Sequence, residues 1–166
     1  NTILTGSDST QIMDIEASIM VTLSSMRFTN GYGTYGGGIY MNGKAVDVTV
    51  TDCVFTEGDG EYGAGIYAER GTMAISNCQF LDNNDDYDGA GLFVYYATVT
   101  VSDSIFSGNH AEGDGGAIYV YDASSSTTVT RCTITNNYAE DYGGGIASEG
   151  GPITITDTTI SGNTSE

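Results

Sequence analysis

The sequence predicts an all-β solenoid of about six coils, each 26–28 residues long. Two observations lead to this prediction. A Gly-Gly-x-Ile-Tyr unit recurs along the chain, and a second hydrophobic anchor follows each Ile of the unit by 14 or 16 residues. Repetition at such a period is typical of solenoids, in which each coil buries its apolar face only by stacking on its neighbours. The units begin at Gly36, Gly63, Gly89, Gly115 and Gly143.

Each coil is predicted to contain three short strands. The first is the glycine-rich unit, with Ile39 and its equivalents pointing inward. The second is typified by residues 46–51, where apolar and polar residues alternate strictly, as in a strand with one buried and one wet face. The third carries the second anchor. The anchors are Phe28, Phe55, Phe80, Phe106, Ile134 and Ile160.

In-register coils place like residues on like residues, about 4.8 Å apart. We therefore expect the four anchor phenylalanines to form an offset aromatic stack. Three residues after each anchor stands a Gly or Asn, which we expect to adopt a left-handed turn, with the Asn side chains hydrogen-bonded along the solenoid axis. These turn residues are Gly31, Gly58, Asn83, Asn109, Asn137 and Asn163.

We expect one β-helix domain over residues 1–166. Residues 1–35 form degenerate first coils, with a coil starting at Ile12 and Ile3 at the anchor position of a still earlier coil. Residues 36–166 form five regular coils, open at both ends. The chain starts at Asn1 and neither end shows a capping helix. Because unpaired strand edges pair readily, we expect the solenoid either to continue in a longer protein or to stack end to end with other copies of itself into a fibre.

The paired motifs resemble those of a known family. Gly115-Gly116-Ala117-Ile118 and Phe80-Leu81-Asp82-Asn83 match the Gly-Gly-Ala-Ile and Phe-x-x-Asn motifs of polymorphic outer-membrane proteins and related large bacterial surface proteins. Other coils depart from the motifs, since Phe55 is followed by Gly58 and Ile134 replaces Phe. The resemblance implies a single-stranded right-handed parallel β-helix. It also implies an extracellular or cell-surface protein with an adhesive or structural role.

Composition excludes some partners. The chain has 22 acidic and 4 basic residues and a net charge of −18. Nucleic acid requires a basic surface, so we do not expect it as a partner, and the sequence has no apolar run long enough for a membrane span. The three cysteines, Cys53, Cys78 and Cys132, are expected to be free buried thiols, because stacked inward positions are farther apart than a disulfide requires.

An acidic edge is the first candidate site. Nine carboxylates lie between the turn residues and the next glycine-rich unit, and their mutual repulsion would be relieved by bound cations. Carboxylate and carbonyl oxygens suit Ca²⁺, so calcium is the one cofactor the sequence suggests. A solvated acidic edge, or general adaptation to salt, is the alternative. The nine residues are Asp59, Glu61, Asp85, Asp86, Asp88, Glu112, Asp114, Glu140 and Asp141.

A hydroxyl face is the second candidate. Outward positions of the second strand carry Thr and Ser in two columns, an array that repeat antifreeze proteins use to order water against ice. Ala74 interrupts it, and Thr is also simply favoured on exposed strands. The array comprises Thr49, Thr51, Thr100, Ser102, Thr128, Thr130, Thr154 and Thr156.

An outward aromatic row is the third candidate, formed by Tyr40, Tyr67, Phe93 and Tyr119. We expect these rings to be exposed and to form a contact surface, for a protein or a carbohydrate, because exposed apolar patches usually mark contacts. The alternative is that nearby loops fold over the row.

Catalysis is not expected. His110 is the only histidine, and the four basic residues are scattered, with Arg131 placed to offset Asp103 and Asp157. We therefore expect an extracellular structural or adhesive β-solenoid that contacts copies of itself or a neighbouring cell surface. The alternatives are a calcium-stabilised carbohydrate-binding module, an ice-binding protein and, less favoured, a polysaccharide lyase.

Overall fold

The computed structural model describes residues 2–7, 9–16 and 18–166, which form 25 strands and no helix. Strand β1 (Thr2–Thr5) precedes six coils of four strands each. The first three coils are β2 (Met13–Glu16), β3 (Met20–Ser24), β4 (Met26–Thr29), β5 (Tyr32–Tyr35), β6 (Ile39–Asn42), β7 (Asp47–Thr51), β8 (Val54–Thr56), β9 (Asp59–Tyr62), β10 (Ile66–Glu69), β11 (Thr72–Ser76), β12 (Gln79–Leu81) and β13 (Asn84–Asp88). The last three are β14 (Leu92–Tyr95), β15 (Thr98–Ser102), β16 (Ile105–Ser107), β17 (His110–Ala111), β18 (Ile118–Tyr121), β19 (Ser126–Thr130), β20 (Thr133–Thr135), β21 (Tyr138–Ala139), β22 (Ile146–Glu149), β23 (Ile153–Thr156), β24 (Thr159–Ser161) and β25 (Thr164–Ser165).

The strands stack into four parallel sheets that run the length of the solenoid. Sheet I holds β2, β6, β10, β14, β18 and β22, and sheet II holds β3, β7, β11, β15, β19 and β23. Sheet III holds β1, β4, β8, β12, β16, β20 and β24, and sheet IV holds β5, β9, β13, β17, β21 and β25. The predicted parallel solenoid of about six coils is confirmed.

The prediction of three strands per coil was wrong, because sheet IV adds a fourth. Its strands are short and polar, as in β9 (Asp59–Tyr62), and show no regular apolar alternation. They form nonetheless, since the ladder joins backbone groups in register and needs no apolar side chain: Asp59 pairs with Asn84, and Asn84 with His110.

Stacked identical side chains fill the core, as predicted. Phe28, Phe55, Phe80 and Phe106 are at most 1% exposed. Their ring centroids lie 4.7, 4.8 and 4.4 Å apart in succession, with interplanar angles of 10° or less. Burial of such large rings in contact supplies much of the hydrophobic stabilisation of the coil.

A ladder of asparagines runs beside the phenylalanine stack, also as predicted. The side-chain amide of Asn83 donates to the amide oxygen of Asn109 at 2.8 Å, and Asn109 donates to Asn137 at 2.8 Å. Each amide also bonds a backbone carbonyl, as Asn109 does to Phe80 at 3.0 Å. The ladder thus satisfies polar groups inside a buried corner, where an unmade hydrogen bond is costly.

The predicted left-handed turns lie one residue earlier than expected. The positive φ angles fall at Glu57 (54°) and Asp82 (52°), the residues just before Gly58 and Asn83. Asn83 itself is 1% exposed and directs its side chain into the ladder. The solvent-facing residue therefore takes the left-handed conformation, and the Asn after it takes the hydrogen-bonding role.

Two assignments near the N-terminus also shift by one residue. Met13, rather than Ile12, pairs with Ile39, and Leu4, rather than Ile3, pairs with Phe28. Ile3 is accordingly 62% exposed. A one-residue shift exchanges the inward and outward faces of a strand, which makes such positions hard to assign where both neighbours are apolar. Within the described residues, no helix has the length and hydropathy needed to span a membrane.

Candidate functional site

The outward aromatic row lies on sheet I, as its alternation predicted, but it is not exposed. Tyr67, Phe93 and Tyr119 are 5%, 4% and 3% exposed, and only Tyr40 is half-buried. The expectation of an open aromatic surface was therefore wrong. These rings instead form a second hydrophobic cluster on the outside of the solenoid, with Tyr62, Tyr95 and Ala147 packed against it.

Tyrosines at the ends of the sheet IV strands cover the row. Tyr35 ends β5 and Tyr62 ends β9, and each is followed by a glycine with φ of 64°, Gly36 or Gly63, at the corner into sheet I. The Tyr35 ring lies 5.0 Å from the Tyr67 ring. Side chains from the end of a sheet IV strand therefore pack over the outer face of sheet I.

A methyl group at such a corner would collide with the structure. A Cβ built on Gly89, whose φ is 70°, would lie 2.9 Å from the carbonyl oxygen of Leu92 and 3.1 Å from Cβ of Tyr119. Glycine therefore serves two purposes here, since it adopts the left-handed conformation and leaves space for the aromatic row.

Three rings of the covered row, Tyr67, Phe93 and Tyr119, form the floor of a cleft of about 380 Å³. Tyr95 and Tyr121, two residues beyond Phe93 and Tyr119 on the same outward side, extend it, and two carboxylates complete it. The lining residues are Tyr35, Tyr62, Tyr67, Asp88, Phe93, Tyr95, Tyr119, Tyr121 and Glu149. Tyr35, Tyr95, Tyr121 and Glu149 were not predicted from the sequence, although the period of two along sheet I gives a signal for Tyr95 and Tyr121.

Hydrogen bonds hold the rings at both ends of the row. The Tyr119 hydroxyl donates to Oε2 of Glu149 at 3.0 Å. The Tyr40 hydroxyl donates to Oε2 of Glu69 at 2.8 Å and accepts from the Asn42 amide at 2.8 Å. Burial, and then the hydrogen bond to Glu149, raises the pKa of Tyr119, so this phenol remains a neutral donor at physiological pH.

Asp88 is the more enclosed of the two carboxylates in the cleft. Its Oδ1 accepts a hydrogen bond from the backbone N–H of Asp114 at 2.7 Å. Its pKa is raised, chiefly by burial and further by the carboxylates of Asp114, Asp141 and Glu149, while the bond from Asp114 opposes the rise. The cleft is therefore a region of negative potential within an aromatic wall.

The nine carboxylates of the predicted calcium edge do not converge. Within residues 2–7, 9–16 and 18–166, no three carboxylate, imidazole or thiol groups are placed to hold a metal ion. Asp59, Asp86, Glu112, Glu140 and Asp141 are exposed, whereas Asp85 is fully buried. Successive side chains of a sheet IV strand point to opposite faces of the sheet. Carboxylates that are neighbours in sequence are therefore separated in space.

Asp85 has a structural role at the corner between sheets IV and I. Its carboxylate accepts hydrogen bonds from the backbone N–H groups of Ala64, at 2.9 Å, and Tyr87, at 3.0 Å. Burial raises its pKa well above the usual range, against the effect of these two bonds. The equivalent positions in the neighbouring coils are Gly60 and Ala111, so this buried carboxyl belongs to a single coil.

The hydroxyl face occupies sheet II in the predicted columns. Thr49, Ala74, Thr100 and Thr128 pair in succession, and Thr154 follows Thr128. The parallel column holds Thr51, Ser76, Ser102, Thr130 and Thr156. The first column is exposed to solvent, and in the second Thr51 shares a hydrogen bond with Ser76 at 3.1 Å and Thr130 with Thr156 at 3.0 Å.

The remaining reactive side chains have structural contacts. Cys53, Cys78 and Cys132 are buried free thiols. The Cys53 thiol donates to the backbone carbonyl of Thr51 at 3.3 Å, and the Cys78 thiol donates to that of Ser76 at 3.2 Å. The neighbouring Cys78 lowers the pKa of Cys53 to about 7, while Cys53 and burial raise that of Cys78. Arg131 bonds both carboxylate oxygens of Asp103 at 2.7 Å, as expected from its place between acidic residues. The His110 ring packs 5.0 Å from the Tyr138 ring.

A shallow second depression lies at the corner between sheets I and II. Lys44, Arg70, Gly71 and Tyr96 line it, and the Arg70 guanidinium lies 5.8 Å from the centre of the Tyr96 ring. Arg70 is also paired with Glu69. This basic corner concentrates two of the four cationic side chains of the chain, outside the lining of the aromatic cleft.

Four parallel sheets wound into one solenoid, with a cleft on the outer face, define the chain as a parallel β-helix. A family model described as a right handed beta helix region matches residues 1–165. The chain therefore belongs to the right-handed β-helix family. Searches of curated proteins and of solved structures gave no match.

Proposed function

We propose that this β-helix is an extracellular, non-catalytic binding solenoid of a cell surface, and that its aromatic cleft binds carbohydrate. The observation that carries the proposal is the cleft itself, where seven aromatic rings and two carboxylates line an open space of about 380 Å³. The motifs shared with bacterial surface repeats support the location at a cell surface.

The lining suits a sugar ring. Binding pockets combine apolar and aromatic walls with a few well-placed polar groups that set orientation. Here the rings of Tyr95 and Tyr121, whose centroids lie 5.5 Å apart, can pack against the C–H face of a pyranose. Glu149 and Asp88 lie where they can accept hydrogen bonds from its hydroxyl groups.

The recessed position of the rings favours a sugar over a protein partner. A stable protein interface buries about 800 Å² on each partner and places its anchoring aromatics in broad contact. Tyr67, Phe93 and Tyr119 are at most 5% exposed. A narrow chain such as an oligosaccharide can enter the cleft, whereas a broad protein surface would meet only its rim.

Calorimetric titration of the chain with neutral and charged oligosaccharides tests the proposal. We expect at least one class to bind, and Tyr121→Ala to weaken that binding up to about tenfold, in line with about 0.5–1.5 kcal/mol for an aromatic contact. Tyr142→Ala is the matched control, because Tyr142 is 75% exposed and lies outside the cleft lining. Equal loss in both variants, or no binding by any sugar, would refute the proposal.

Hydrolysis is the second candidate, favoured by one observation. Asp88, with a raised pKa, and Glu149 share the cleft in different environments, and glycosidases use one carboxyl as acid and another as base or nucleophile. Chromatography of the sugar after prolonged incubation separates the two functions. Intact ligand supports binding alone, whereas shorter products that disappear in Asp88→Asn indicate catalysis.

A further inference from the structure

The charge of the aromatic cleft has one sign. Among the described residues that line it, Asp88 and Glu149 are acidic and none is Lys, Arg or His. The carboxylates of Asp114 and Asp141 also act on Asp88, since both raise its pKa. An anionic sugar would meet repulsion from both of the charged groups that line the cleft.

Each lining carboxylate has an oxygen left for a ligand. Glu149 accepts the Tyr119 hydroxyl through Oε2, and Asp88 accepts the Asp114 N–H through Oδ1. Oε1 of Glu149 and Oδ2 of Asp88 can each accept a charge-assisted bond, which is stronger than a neutral one. A ligand with ammonium groups would supply the donors and compensate the negative potential.

Aromatic walls favour the same ligand charge. A cation over the face of a tyrosine is attracted by the ring quadrupole, and the effect grows where water is excluded. Tyr121 is 39% exposed, and its ring centroid lies 5.5 Å from that of Tyr95 and 6.2 Å from that of Tyr119. This accessible ring lines the same cleft as the two carboxylates.

From these contacts we propose that the cleft selects amine-bearing sugars, with the pyranose ring against the tyrosines and the ammonium group at Glu149 and Asp88. The ligand class is an oligosaccharide of glucosamine with free amino groups. This inference rests on the proposed carbohydrate-binding function and specifies its ligand. The basic corner at Lys44 and Arg70 has the opposite charge and offers an internal comparison.

Three hexasaccharides are the probes: glucosamine, N-acetylglucosamine and galacturonic acid, each titrated into the chain by calorimetry at near-neutral pH, because the raised pKa of Asp88 favours its protonation in acid. The glucosamine hexamer is expected to bind at least about tenfold more tightly than its acetylated counterpart. Galacturonate is expected to be the weakest. High salt should reduce the preference, because about 1 M salt shortens the Debye length to about 3 Å.

Paired variants distinguish binding in the cleft from a general electrostatic attraction between a cationic sugar and an acidic protein. Glu149→Gln should reduce the preference for the amine severalfold, and Asp88→Asn should do so while keeping an oxygen for the Asp114 N–H. Glu140→Gln makes the same change of charge at an exposed residue outside the cleft lining, and it should leave the preference intact. An equal effect of Glu149→Gln and Glu140→Gln would overturn the inference.

The remaining outcomes are also decisive. If the glucosamine and N-acetylglucosamine hexamers bind equally tightly, and Tyr121→Ala weakens the binding of both, the chain binds carbohydrate but does not select amines. If galacturonate binds most tightly and Lys44→Gln abolishes its binding, the sugar site is the basic corner, and the inference fails. If no hexasaccharide binds, the proposed function fails with it.

Discussion

The Tyr62 ring meets the Phe93 ring edge to face, with the centroids 5.5 Å apart and the planes at 82°. Tyr62 lies in β9 of sheet IV, in the second coil, and Phe93 lies in β14 of sheet I, in the fourth coil. The contact therefore crosses both a corner and a coil boundary, and it converts an outward row of rings into the wall of a cleft.

Removal of that wall should separate binding from folding. Tyr62→Ala loses the contact with Phe93 and the stack on Tyr87, and we expect the free energy of unfolding to fall by about 1–2 kcal/mol, since the ring is only half-buried. Sugar binding should weaken more than in Tyr87→Ala, a ring outside the cleft lining. Calorimetric titration of both variants with the best-bound hexasaccharide measures the difference. Unchanged affinity in Tyr62→Ala would contradict this role.

The asparagine ladder should be a large contributor to stability. Asn109→Ala removes the acceptor of the Asn83 amide and the donor to the Phe80 carbonyl, both buried. We expect the free energy of unfolding to fall by about 3–5 kcal/mol, because buried polar groups are left without partners. Urea denaturation followed by circular dichroism measures it. Asn84→Ala, on an exposed residue of the same sheet corner, should change stability by less than about 0.5 kcal/mol.

Asp85 should make stability depend on pH. Burial raises the pKa of Asp85 in the folded state above its unfolded value of about 3.9. The contribution of the protonated carboxyl to folding stability is therefore complete below the unfolded pKa, and it is lost as pH rises toward the folded pKa. The stability of the wild type minus that of Asp85→Ala should therefore decrease as pH rises from about 4. Ala occupies the same position at Ala111, so the variant side chain fits the fold.

Urea midpoints across this pH range give the measurement. The same difference for Asp86→Ala, an exposed neighbour, should stay constant with pH. A constant difference for Asp85→Ala as well would mean that its carboxyl is not desolvated in solution.

Calcium should have little specific effect on stability. Because no three carboxylates of the described residues converge, a chelator should leave the melting temperature of the chain unchanged at constant ionic strength. Differential scanning calorimetry with calcium, with chelator and with matched sodium chloride tests this expectation. A rise of several degrees with calcium beyond the sodium control would instead indicate a specific site, since only a ligand of the folded state stabilises it by mass action.

The hydroxyl face should not arrest ice growth. Ala74 interrupts the first column of hydroxyl groups, and the outward column beside it on sheet II begins with Met20 and Asp47, so the hydroxyl array neither is continuous nor widens regularly. We expect no gap between melting and freezing temperatures in nanolitre osmometry. A gap that disappears in Thr128→Tyr but persists in Glu140→Gln would restore the ice-binding alternative.

The inward-facing contacts of this molecule could be predicted from its sequence. Phe80 and Phe106 stack, and Asn83 and Asn109 bond, where the repeat placed them, because in-register parallel strands put equivalent residues of successive coils directly above one another. The predictions for Ile12 and Ile3 were wrong, because each has an apolar neighbour, Met13 or Leu4, and the sequence does not show which of the two residues points inward.

The sequence by itself determined the coil period, the inward ladders and the parallel solenoid, since these depend on the spacing of residues along the chain. Only the tertiary structure decided that Tyr62 covers Phe93 and that Asp88 and Glu149 share one cleft. The physical reason is the angle of the corner between sheets IV and I. A left-handed glycine such as Gly63 makes that corner sharp, and how far a side chain reaches across it depends on the packed geometry of neighbouring coils rather than on any spacing in the sequence.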